Sequence, residues 1–282
     1  MRSPLIIMAA CALLASCGGS GGVADAVGTF TSPYLAIDLA SGKLEAYANL
    51  DADAVRSDPQ WKTTKLLFRR LELGGTIGVS GSALGVDSDE PTPRTVAPTV
   101  MFVAVFEVTQ VQWTALGGTA RWLEPGLRAA GGSVVAASAP AYGLNRDEVE
   151  SVTAAYHAGR DYLLALPTND QWEVACRGGT SGTLFWWGDA PSDAVGVEVR
   201  AVVAESAGSM VGAQAVDSGR SANPAGLYDL HGNVWEWVDS PSGTVRGGSW
   251  NDTVAQARAA NRLALDQTIH HPLVGARLLL IP

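Results

Sequence analysis

The 282-residue chain has few thiols: three cysteines, at positions 11, 17 and 176. Basic clusters are missing as well. Nineteen Lys and Arg stand against 28 Asp and Glu, a formal charge of −9, which argues against a nucleic-acid partner. After the first residues no apolar run approaches the length needed to span a bilayer. No internal repeat of solenoid or propeller length occurs. A Gly-x-Ser-x-Gly elbow is absent, and the four histidines (157, 231, 270 and 271) form neither an H-x₃-H nor an H-E-x-x-H pattern. Adjacent His270 and His271 would point to opposite faces of an extended chain, which disfavours joint ligation of one metal. What the chain does have is tryptophan, nine against five phenylalanines. Large flat side chains at that density suit an irregular, loop-rich core.

The N-terminus sets the expected compartment. Arg2 precedes an apolar run from Pro4 to Leu14, the pattern of a secretory signal peptide at residues 1–16. Leu14-Ala15-Ser16-Cys17 resembles a bacterial lipobox, in which the cysteine is lipidated and becomes the mature N-terminus. That resemblance implies membrane attachment through an N-terminal lipid on Cys17. The next residue is Gly18 rather than Asp, so the expected place is the cell envelope, at the outer membrane. Cys11 would leave with the signal and Cys17 would carry lipid. The mature chain of roughly 265 residues then holds Cys176 alone and can form no internal disulfide.

Residues 17–30, glycine-rich and unpatterned, read as a flexible tether. "YLAIDLASGKLEAYANL" reads as a β-hairpin around Ala40 to Lys43, placed in an N-terminal extension spanning 31–60. The main domain is expected over 61–282. It opens with two strands, "TKLLFRRLELGG" and "TVMFVAVFEVT", separated by the polar loop containing "DSDEPTPR". Thr109 with Gln112, Asn145 with Glu148, and Thr168 with Gln171 predict three helix starts, each with a cap three residues before Glu or Gln. Trp172 and Cys176 fall on one face of the third helix, which the glycines at 178 and 179 end.

Six motifs, in order, carry a specific resemblance. They are "LALPTNDQWEVACRGG" (164–179), "LFWWGD" (184–189), "GLYDLHGNVWEW" (226–237), "VRGGSW" (245–250), "RAANR" (258–262) and "GARLLL" (275–280). Upstream, "FEVTQVQW" (106–113) and "APAYGLNRDEVESV" (139–152) fit the same pattern. Together they resemble the formylglycine-generating enzyme, or sulfatase-modifying-factor, family. The resemblance implies an α+β, loop-rich, elaborated C-type-lectin-like fold.

Active members hold copper with two cysteines soon after the "GGSW" turn, because soft thiolates suit Cu(I). Here the first of those positions is Asp252, and no cysteine occurs after Cys176. Copper and the known oxidase chemistry are therefore not expected, and Cys176 reads as a buried, inert thiol. The resemblance also implies calcium at the 232–236 turn, through Gly232, Asn233, Val234 and Glu236. A structural reading stands beside it, with Trp235 and Trp237 alternating with Glu236 on a core strand entered by a Gly232-Asn233 turn. The family's second calcium site has no matching ligands in the stretch 197–216. Arg246, Arg258, Arg262 and Arg277 read as braces for loop carbonyls or carboxylates.

A retained cleft lined by Trp250, Asn251, Asp252 and Arg258 is the candidate binding site, for a peptide, protein or glycan ligand. The leading expectation is thus a surface-anchored binding or structural module without the copper thiols. An oxidoreductase using a non-cysteine site is the alternative. A third reading comes from "RGGSWND…RAANR…GARL", which also resembles the variable region of diversity-generating retroelement proteins.

Overall fold

In this computed structural model the described residues are 30–78, 92–127, 136–191, 196–207 and 212–282. The expected signal peptide, the lipidation residue Cys17 and nearly all of the tether lie outside them.

The described elements run in chain order as follows: β1 (Tyr34–Asp38), β2 (Leu44–Tyr47), α1 (Ala52–Ser57), β3 (Lys65–Ile77), β4 (Arg94–Ala104), α2 (Gln110–Ala115), α3 (Arg146–His157), β5 (Leu163–Ala165) and α4 (Asn169–Arg177). They continue with α5 (Ala204–Ala207), β6 (Trp235–Val238), β7 (Thr244–Arg246), β8 (Arg262–Ala264), β9 (Val274–Gly275) and β10 (Leu279–Ile281). This is the expected α+β architecture, with long loops through its second half. No helix among the described residues is long and apolar enough to cross a membrane.

Six strands form one sheet in the order β2-β1-β3-β4-β10-β5, with antiparallel neighbours throughout. The apolar runs that mark these strands are buried on both faces, so alternate residues feed two different cores. Leu35, Ile37, Leu66, Phe68, Phe102 and Leu280 face one core, with Trp113, Trp235 and Trp237. Ala36, Leu67, Leu71, Met101, Val103 and Leu279 face the other, with Trp61, Trp172 and Cys176. The 34–47 hairpin forms as expected and joins the main sheet directly, because Tyr34 to Asp38 pair with Arg69 to Lys65.

The second sheet, β8-β7-β6-β9, carries the motif segments. Its β6 and β9 run parallel, with Trp235 opposite Val274 and Glu236 opposite Gly275. A third small core, including Leu184, Phe185, Val203, Val254 and Ala257, lies under the loops that join the motifs.

All three helix caps are in place. Thr109 and Thr168 each accept a hydrogen bond from the amide three residues on, and Gln112 and Gln171 reach back to the cap amides. Asn145 caps α3 by accepting from the Glu148 amide at 2.7 Å. Gly178 closes α4 in the left-handed conformation, at φ 58°. Thr168→Ala should lower stability by about 1 kcal/mol, the usual cost of a lost N-cap, measured as a reduced urea midpoint with an unchanged slope.

Candidate functional site

Gly232 sits at φ 90°, and a Cβ there would lie 2.1 Å from the Val202 carbonyl oxygen. Only glycine fits this approach, which lets the Asn233 amide donate to Val202 O and the Gly232 amide donate to Gly247 O, each at 2.7 Å. The turn thus clamps three loops together before β6 begins. Asn233 follows at φ 63°, a conformation that Asn tolerates better than most residues. Its side-chain oxygen accepts from the Gln214 amide, and its Nδ2 donates to Glu107 Oε2.

On β6, Trp235 and Trp237 point into one core while Glu236 points away from them. Glu236 meets Arg277 in a fully buried pair. Arg277 Nη2 and Nε donate to Oε1 at 2.8 and 3.0 Å, and the Trp172 indole donates to Oε2 at 2.6 Å. The rest of the guanidinium is used on carbonyls: Nη1 on Ala104 and Val105, Nη2 on Tyr228.

This placement bears on calcium. Gly232, Asn233, Val234 and Glu236 do not fit the ion. Both Glu236 oxygens already accept hydrogen bonds, and a guanidinium stands where a metal would have to approach. The Asn233 carbonyl is taken by the Trp250 amide at 2.9 Å. Among the described residues no group of three or more His, Cys, Asp or Glu side chains is arranged to hold a metal. The arrangement matches the structural reading of this segment.

Two further buried carboxylates adjoin the pair. Glu107 accepts from the Val234 amide at 3.2 Å and from Asn233, while Asp229 accepts from the Asp217 amide at 2.6 Å. Burial, reinforced by Asp229 and Glu236, holds Glu107 well above the usual carboxylate range. Burial pushes Asp229 up to about 6. A second ion cluster lies beneath α4, where Glu173 bridges Arg177 and Arg246 at 2.8 and 2.6 Å. Burial alone would raise Glu173, yet Arg246 and Arg177 hold it below its ordinary value. Arg246 also donates to the carbonyls of Ala260 and Asn261, so Arg246 and Arg277 are the braces that their motifs implied.

The four proposed cleft residues divide. Trp250 and Arg258 are buried, Asn251 is exposed and Asp252 is half-buried. Asp252 Oδ2 accepts from the Trp235 indole at 2.8 Å and from the Ser249 hydroxyl. The carboxylate thus pins the turn, and Ser249 spends its hydroxyl on it. Only Asn251 and Asp252 of the four reach solvent.

Cys176 is completely buried in α4, as expected. Its thiol lies 3.5 Å from His231 Nε2, and His231 Nδ1 lies 2.6 Å from the Ala257 carbonyl. That carbonyl can only accept, so Nδ1 carries the proton and Nε2 is an acceptor facing the thiol, which also has the Leu230 carbonyl at 3.7 Å. Burial pushes the thiol up and lowers His231 to about 4, so both groups are neutral. Phe185 and Trp187 cover the imidazole edge-on. The remaining histidines serve local geometry: His157 and His271 accept from the Leu164 and Leu273 amides, and His270 contacts the Gly143 carbonyl.

Sequence reasoning missed Glu107, Asp229 and His231. The one available signal was an acid inside an apolar run, Val105-Phe106-Glu107-Val108.

The sulfatase-modifying factor enzyme 1-like domain model matches residues 72–280. Over 100 residues, the chain is 39% identical to the inactive C-alpha-formylglycine-generating enzyme 2 of Mus musculus and 37% identical to that of Bos taurus. Those matches cover 31% of this chain and 32% and 33% of the relatives, about a third of their length. Among solved structures, Treponema denticola variable protein 1 superposes with a TM-score of 0.63 at 18% identity, covering 78% of this chain and 96% of that one. PvdO from Pseudomonas aeruginosa gives 0.62 at 17%, covering 77% and 95%. At these identities the likeness concerns the fold.

Arg277→Met should destabilise by about 3–5 kcal/mol, because it strands Glu236 without its cation; adding Glu236→Gln should recover much of the loss in urea unfolding. Asp229 and Glu107 bind their protons more tightly in the fold than in the unfolded chain, so their contribution is full below the ordinary carboxylate pKa. It fades as pH rises, through about 6 for Asp229. His231 acts oppositely, contributing above its ordinary 6.5 and losing this as pH falls through about 4. Both carboxylates therefore oppose His231 between about pH 4 and 6. Asp229→Asn removes one of them, so its urea midpoint should rise more with pH across that window than the parent's does.

Proposed function

Since the chain belongs to the sulfatase-modifying factor enzyme 1-like domain family, we propose that it is a non-catalytic member that binds a ligand at the cell envelope of a bacterium. The observation that carries this reading is Asp252. Where the resemblance places a copper-binding thiol, a hard carboxylate stands instead, engaged by Trp235 and Ser249. Cys176 offers no substitute, being buried and protonated beside His231. The relatives that carry the word inactive in their names agree with it.

The ligand surface is the stretch from Asn251 to Ile269. Asn251, Thr253, Gln256, Leu263, Asp266 and Ile269 are exposed, while the flanking motif residues Arg246 to Trp250 and Val274 to Leu278 are buried. A rigid frame thus presents a run of diverse side chains, the arrangement that peptide, protein or glycan recognition needs. The same alternation of fixed frame and outward positions favours a second reading, a retroelement-diversified ligand surface. A reverse transcriptase and template repeat beside the gene would decide that one. Attachment through lipid on Cys17, at the outer membrane, completes the proposal.

Purified protein should contain no stoichiometric copper or iron and should convert no cysteine to formylglycine in a sulfatase-derived peptide. Stoichiometric transition metal, or product, would sink the non-catalytic reading in favour of an oxidoreductase with a non-cysteine site.

A further inference from the structure

A cavity of about 430 Å³ opens where the β1–β2 hairpin meets the segment that follows α3. Leu35 pairs with Ala46 and Ile37 with Leu44, so Leu35, Leu44 and Ala46 share one face of the hairpin. With Phe30 they form the apolar wall, and Arg160, Asp161 and Tyr162 close the other side. The volume falls within the range of about 300–1,000 Å³ usual for small-molecule sites.

Arg160 is set in place by its surroundings rather than by a counter-ion. Its guanidinium lies over the Tyr156 ring, 4.4 Å from the centroid. Gly42, at φ 71°, lies against it, and a Cβ there would stand 2.3 Å from Arg160 Nε. Tyr156 and Tyr162 fix that turn, their hydroxyls donating to the carbonyls of Leu39 at 3.1 Å and Gly42 at 2.9 Å. Among the described residues, neither the Arg160 guanidinium nor the Asp161 carboxylate makes a hydrogen bond or an ion pair. The other acid of the wall is already engaged, since Glu45 accepts from Lys65 and from the Tyr47 hydroxyl, each at 2.6 Å. Two opposite charges on consecutive residues thus line the cavity without partners.

We propose that this cavity binds a free α-amino acid with a bulky apolar side chain. Its carboxylate meets Arg160, its ammonium meets Asp161, and its side chain lies against Phe30, Leu35, Leu44 and Ala46. A free α-amino acid carries both charges on one carbon, which matches neighbouring charges of opposite sign; a fatty acid or a peptide terminus answers only one of them. The guanidinium fork suits a carboxylate, and its fixed position leaves little ordering cost on binding. The site is independent of the Asn251–Ile269 stretch. Thr268 of that stretch meets α3 at its cap, Asn145, whereas Arg160 follows the last of its 12 residues, about 18 Å along the axis.

Calorimetric titration of the purified full chain with L-phenylalanine and with L-leucine should show a single site, with a Kd below about 1 mM. Glycine, hydrocinnamate and phenethylamine lack the apolar side chain, the ammonium and the carboxylate in turn. Each should bind about tenfold more weakly or worse, the cost of one unmatched group. Arg160→Met should weaken phenylalanine binding at least about tenfold and Asp161→Asn several-fold, while Asn251→Ala binds as the parent does. Asp161 is exposed, so its variant decides alone should Arg160→Met fold poorly. Absence of binding by either amino acid would overturn the proposal. Hydrocinnamate binding as tightly as phenylalanine would overturn it too, by making the cavity a site for simple carboxylates. Undiminished binding in the Arg160 and Asp161 variants would place the ligand elsewhere and end the proposal as well.

Discussion

One buried guanidinium holds the motif segments together. Arg277 brings five N–H groups to Glu236 on β6, to the end of β4 at Ala104 and Val105, and to Tyr228 in the loop between them. Trp172 of α4 completes the ring by donating to the same carboxylate. Segments more than a hundred residues apart in sequence are thereby locked into one register. Such a pair is costly to desolvate and adds little net stability. Its value is geometric, because a planar fork is satisfied in few arrangements and an irregular domain has few regular ladders to fix its loops.

Local features were legible from the sequence. The Thr109, Asn145 and Thr168 caps, the hairpin at 34–47 and the burial of Cys176 each depend on neighbours a few residues away, and the structure has them all. The motif order was enough for the fold family. What stayed hidden was long-range. Nothing local says that β10 inserts between β4 and β5, or that β9 runs parallel to β6. Glu236 was open to two readings because its partner lies 41 residues away. Glu107, Asp229 and His231 could not be recognised as perturbed groups, since burial by distant segments causes each shift.

The turn around Asp252 is held in shape by its own carboxylate. The half-buried acid is held by two donors and links Trp235 to Ser249, so the loop beyond it stays positioned. The frame on either side is closed by Arg246 and by the tight approach at Gly232. Between those fixed points Val254 and Ala257 anchor the segment in the third core, while Asn251, Thr253, Gln256 and Leu263 face outward. The identity of these outward side chains can change without loss of the scaffold.

The pairing of Cys176 with His231 has a consequence under oxidising conditions. A thiol that is protonated, completely buried and set beside an imidazole that Phe185 and Trp187 cover presents neither a thiolate nor a path to one. It stays off the ladder that leads from sulfenic acid to mixed disulfides. Many copies of the protein can then crowd side by side without becoming covalently joined through this residue.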